Sequence, residues 1–84
     1  MLRLTSDRLR AALGVVDPVR PTTVALVAHV CHWSQADALR ALSMLHVQGF
    51  VRAITHVSSD GHGGPVYIRT DKPETEVLGV EHAK

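Results

Sequence analysis

Apolar residues in the first half of the chain recur at helical spacing. Leu9, Ala12, Leu13 and Val16 fall at i, i+3, i+4 and i+7; so do Val24, Val27, Ala28 and Cys31, and again Ala38, Ala41, Leu42 and Leu45. Each stripe predicts an amphipathic helix with one buried face. Boundary residues sharpen the three segments. Thr5, Ser6 and Asp7 offer N-caps for a first helix over Asp7–Val16, and Asp17-Pro18 ends it, because proline disfavours helical geometry at the residue before it. Thr22 or Thr23 caps a second helix running to about Val30, and Ser34 caps a third over Gln35–Gln48. Gly49 then stands where a left-handed C-cap is wanted.

Beyond Gly49 the pattern changes. Phe50–Val57 is rich in β-branched residues and Val66–Thr70 is a second such run, so two strands are expected. The intervening Ser58–Pro65 holds three glycines and a proline, the composition of a long hairpin loop. Val19-Arg20-Pro21 reads as extended, with room for one short strand. The tail from Asp71 offers a short helix near Pro73, a favoured first-turn residue, against an equally open frayed reading.

Composition narrows the class without choosing a function. With 84 residues, 45% hydrophobic and 20% charged, the chain suits one soluble domain with a modest core. Trp33, Phe50 and Tyr67 are the only aromatics, expected at junctions between elements. The net charge of +1 is unevenly spread: residues 1–70 carry seven Arg against four Asp, and residues 71–84 carry two Lys against four carboxylates. A mildly basic body with an acidic tail is compatible with nucleic acid. A single cysteine forms no internal disulfide, and the amino-terminal residues lack the apolar core of a signal peptide, so a cytoplasmic location with no membrane association is expected.

Helix, turn, helix, Gly-aromatic-Val and a Gly-rich hairpin occur here in a familiar order. Thr23-Val24 opens the second helix, which carries Ala25 and Ala28. Cys31-His32-Trp33-Ser34 forms the turn, Leu45–Val51 closes the third helix and enters a strand, and Asp60–Pro65 supplies the hairpin. The chain thereby resembles the winged helix-turn-helix domains of many bacterial and phage transcriptional regulators over about residues 5–70. The resemblance implies an α+β fold, a three-helix core with a C-terminal two-stranded β-hairpin wing, spanning residues 1–70 and followed by the acidic tail 71–84. It implies double-stranded DNA binding in transcriptional regulation, with helix 35–48 in the major groove, and a homodimer on a two-fold operator. Two positions depart from the pattern. His32 occupies the turn position usually given to Gly, at a strain cost if its backbone is left-handed. The hairpin tip offers Ser58, Ser59, Asp60 and His62 where Arg or Lys is usual.

Carried onto this chain, the DNA-facing set is Thr22, Thr23, Ser34, Gln35, Ala36, Leu39, Arg40, Ser43, Arg52, His62 and Arg69. Arg40 has the fork to donate twice to a guanine edge, and Gln35 suits adenine. Ser34 and the first-turn amides suit a phosphate, as do Thr22 and Thr23 at the start of the second helix. Arg52 and Arg69 flank the hairpin. An opposing reading takes the same helix face as plain solvated surface or as a protein-docking surface, because Leu39 and Val47 are apolar and Asp37 is placed to pair with Arg40 at i+3. His29, Cys31 and His32 have metal-binding side chains, which keeps a metal- or ligand-responsive repressor as a further alternative. Cys31 nonetheless falls on the inward stripe, and no convergent ligand set is visible, so no metal or cofactor is assigned. Ser58, Ser59, Asp60 and His62 crowd the residue types of a hydrolytic triad onto one loop, without the separate rigid supports such a triad needs. No enzymatic activity is expected.

Overall fold

A computed structural model describes residues 2–56 and 64–80. The order of elements is α1 (Ser6–Val15), β1 (Thr22–Thr23), α2 (Val24–Cys31), α3 (Gln35–Gln48), β2 (Val51–His56), β3 (Gly64–Arg69) and a single 3-10 turn at Glu74–Glu76. Three helices therefore pack with a small antiparallel sheet, in an α+β arrangement.

All three helices begin on hydroxyl caps. Thr5 accepts from Arg8 N at 3.3 Å, Thr23 from Leu26 N at 3.1 Å, and Ser34 from Asp37 N at 3.1 Å. Each cap satisfies a first-turn amide that has no partner within its helix. The stripes point inward as their spacing requires: Leu9, Ala12, Leu13, Val27, Ala38, Ala41, Leu42 and Leu45 are completely buried. Val24 and Cys31 pack at the edge of this core. Phe50, also fully buried, fills the junction where α3 gives way to β2, and Tyr67 is 5% exposed.

The α2 and α3 helices end in the same way. Trp33 N donates to Ala28 O at 2.9 Å and Phe50 N to Leu45 O at 2.9 Å, each reaching back over a residue in the left-handed region. At the end of α3 that residue is Gly49, with φ of 89°; at the end of α2 it is His32, with φ of 58°. Paired bonds of this kind close a helix sharply and turn the chain. The three-residue connection His32-Trp33-Ser34 thus joins α2 to α3 directly.

The sheet has the order β1-β3-β2. Two extended residues, Thr22 and Thr23, pair with Tyr67 and Val66 on one edge of β3, while β2 pairs along its other edge from Val51↔Arg69 to His56↔Gly64. The short strand expected at Val19–Pro21 instead falls on the next two residues. The reason lies in Asp17, whose carboxylate accepts from Val19 N at 2.7 Å and Arg20 N at 3.0 Å, folding residues 17–20 into a turn that delivers the chain to β3 only at Thr22.

Residues 70–80, after β3, pack on the body of the domain. Val77 is 2% exposed within the core, and Val80 N donates to Leu4 O at 2.9 Å. Gln48 holds the Leu78 peptide from both sides, donating to its carbonyl at 2.7 Å and accepting from its N–H at 3.0 Å. The helical potential near Pro73 amounts to the single turn Glu74–Glu76.

Candidate functional site

The α2–turn–α3 unit positions most of the residues singled out by the sequence, and α3 divides into three faces. Ala38, Ala41, Leu42 and Leu45 face the core. A flank carrying Asp37, Arg40 and Gln48 is covered by the terminal segments: Arg40 Nη1 donates to Leu2 O at 3.1 Å, and Gln48 grips Leu78. What remains open is Gln35, Ala36, Leu39, Ser43, His46 and Val47, all exposed. Leu39 is 43% exposed and Val47 86%, and Ser43, Met44, Val47 and Gln48 line a shallow groove at the carboxyl-terminal end of this face.

Ser34 combines two roles at the start of α3. Its hydroxyl caps Asp37 N, and its side chain is exposed at the turn. Asp37 responds to several neighbours. Partial burial raises its pKa, but hydrogen bonds from Ser34, from the Leu2 backbone N–H and from Arg40, together with the Arg40 charge, more than offset that and hold it below 3.8. It is therefore ionised at neutral pH, and its Oδ1 lies 3.0 Å from Arg40 Nη1.

Arg40 is consequently not a free cation. Its side chain is 35% exposed and one terminal nitrogen serves both Asp37 and Leu2. The Asp37 pairing was visible in sequence as an i, i+3 spacing. The Leu2 carbonyl, 38 residues away, was not.

The remaining expected contacts separate by exposure. Thr23 is exposed beside the amino end of α2, with its hydroxyl engaged as the cap. Thr22 is only 2% exposed, its Oγ1 accepting from Asp17 N, so it orders the loop before α2 and is not available to a ligand in this conformation. Arg52 lies exposed on β2, and with Arg3 and Arg20 it makes no ion pair among the described residues. Arg69 lies 3.7 Å from Glu74. His62 and the other tip residues Ser58, Ser59 and Asp60 lie outside the described residues.

Two further features were missed in sequence. Lys72 Nζ donates to Gln48 O at 2.6 Å and stands 4.7 Å from the Phe50 ring centroid, placing a cation on the carboxyl end of α3. The Gln48 grip on Leu78 is the second. Neither has a local spacing signal, because both partners arrive through the tail.

His29, His32 and Cys31 do not form a ligand cluster with other described residues. Among the described residues no group of three or more His, Cys, Asp or Glu side chains is placed to hold a metal ion. Burial pushes the Cys31 thiol above its ordinary pKa, keeping it protonated and suited to packing at the core edge. The apolar residues of the terminal segments are largely consumed within the chain: Leu4 is fully buried and Val77 nearly so, leaving Leu78 exposed. No described helix is long and apolar enough to cross a membrane. Compared with known proteins, the chain matches no family model, no curated protein and no solved structure.

Proposed function

We propose that this domain is a winged helix-turn-helix that binds double-stranded DNA in transcriptional control, with the open face of α3 entering the major groove. One observation carries the reading. The two helices are joined by a three-residue turn that opens on the left-handed His32, and the second presents Gln35, Ala36, Leu39 and Ser43 to solvent on one face. That is the arrangement in which a helix-turn-helix reads base edges from the first turns of its second helix.

In this account Gln35 and Ser43 supply the polar contacts on the open face, and Leu39 and Ala36 fit apolar thymine methyls. The first-turn amides of α3 meet a phosphate, and exposed Arg20 and Arg52 meet neighbouring phosphates. The β2–β3 hairpin serves as the wing. Two copies on a two-fold operator would set their α3 helices ~34–36 Å apart.

A salt titration on random-sequence duplex tests this. With a few phosphate contacts, log affinity should fall linearly with log salt at a slope of roughly −0.9 per contact, and Arg52→Ala should reduce that slope by about one contact. Undetectable binding at low salt refutes the proposal.

A second reading is favoured by a specific observation. Leu39, Val47, Leu26 and Val30 are all exposed apolar side chains on α2 and α3, and the one arginine of α3 is engaged. A protein-interaction role for the same face predicts no salt-dependent DNA binding at all.

A further inference from the structure

The amino-terminal segment lies against the flank of α3 and is pinned at several points. Leu4 is completely buried, its carbonyl accepts from Val80 N, and Leu2 packs partly buried against the core. Between these anchors the Leu2 carbonyl takes the guanidinium of Arg40, which Asp37 also holds. The open face of α3 is thereby left without a free cation: its exposed residues are Gln35, Ala36, Leu39, Ser43, His46 and Val47. Yet Arg40 sits one residue from Leu39, at the margin of that face, and a guanidinium on a long flexible side chain needs only a change of rotamer to reach a partner there.

We propose that the Leu2 segment is an autoinhibitory strap, which sequesters Arg40 until a DNA acceptor displaces the Leu2 carbonyl. The inference rests on the DNA-binding reading above and adds a regulatory step to it. The exchange costs little. A single backbone carbonyl and an i, i+3 carboxylate at a partly exposed site hold an arginine weakly. A guanine edge or a phosphate offers the same guanidinium two acceptors in the fork geometry it prefers. The strap would thus set a threshold: DNA that gives Arg40 a bidentate partner releases it, and DNA that does not leaves it tied down. Discrimination between sites would then exceed what the open face alone provides.

Loosening the strap should therefore strengthen binding, and only through Arg40. In the full chain, Leu2→Gly removes the side-chain anchor while leaving Leu4 and its bond to Val80 in place. Affinity for duplex DNA should rise about three- to tenfold, the range expected from removing one or two weak competing bonds. Arg40→Ala should cost more affinity in the Leu2→Gly background than in the parent. At saturating DNA, the backbone amide resonances of Leu2 and Arg3 in the parent protein should move toward unfolded-chain positions. If Leu2→Gly melts below the assay temperature, Leu2→Ala, which keeps more of the packing, takes its place with a smaller gain. DNA binding that is unchanged by either Leu2 variant, with the Leu2 resonance unmoved, overturns the strap and leaves the DNA reading standing. Absence of binding by the parent and by every Leu2 variant removes both.

Discussion

His32 shows how one residue can be misfit for its own position and still specify the turn around it. A non-glycine residue with φ of 58° carries a steric cost of roughly 1–2 kcal/mol, and its side chain is exposed, with little packing to offset that cost. His32→Gly should accordingly stabilise the domain by about 0.5–1 kcal/mol, after allowing for the extra freedom glycine brings to the unfolded chain. A thermal or urea melt with a higher midpoint and unchanged cooperativity checks this; a lower midpoint would mean the imidazole makes a contact that outweighs the strain.

Two aspartates set the acid limit at the same scale. The Val19 and Arg20 amides hold the Asp17 carboxyl below 3.8, with a small opposing contribution from burial. Asp37 is raised by burial and lowered by more through Ser34, Leu2 and Arg40. Both folded-state pKa values lie below the unfolded ones, so their stabilisation is fully present above the unfolded pKa and is lost as pH falls through the folded values. Urea midpoints measured at successive steps below pH 5 should decline, and Asp37→Asn should flatten part of that decline. A midpoint independent of pH in this window would show that neither carboxylate is preferentially ionised by the fold.

At the scale of elements, the helices were legible because each is defined locally, by a 3.6-residue stripe and a hydroxyl cap. The stripe of α3 named its four core residues, and Ser34 and Gly49 named its ends. The short strand was expected at Val19–Pro21, just before its place at Thr22–Thr23, because that place depends on the Asp17 turn and on β3, more than forty residues later. The role of the tail was hidden for the same reason. Nothing in the local pattern around Val77 distinguishes a buried valine from one in a frayed end; its burial follows from the grip of Gln48 and the bond between Val80 and Leu4. The candidate site divides likewise. The exposed positions of α3 follow from its stripe, whereas the capture of Arg40 by Leu2 needs the tertiary fold. Val77→Ala should destabilise the domain by about 2 kcal/mol, through lost burial and the cavity left behind. Loss below roughly 0.5 kcal/mol in a urea melt, the size typical of surface changes, would show that the tail adds nothing to the core.

For the molecule as a whole, the surface is built so that α3 has one open face and one strapped flank, with the amino-terminal segment and the tail meeting beside it through Leu4 and Val80. The arginines and lysine that make no ion pair among the described residues, Arg3, Arg8, Arg20, Arg52 and Lys72, are spread along the chain and none lies on α3. Such a distribution suits modest, salt-sensitive affinity in which shape and a few polar contacts decide the site. The central claim is that the open face of α3 is where DNA sits. It is tested most directly by titrating short duplex DNA into isotope-labelled protein at low salt and following the backbone amide resonances. The account predicts the largest shifts at Ser34, Gln35, Ala36, Leu39 and Ser43, with smaller ones at Thr23 and Arg52. Shifts that are absent, or that fall on α1 and leave α3 untouched, would contradict it.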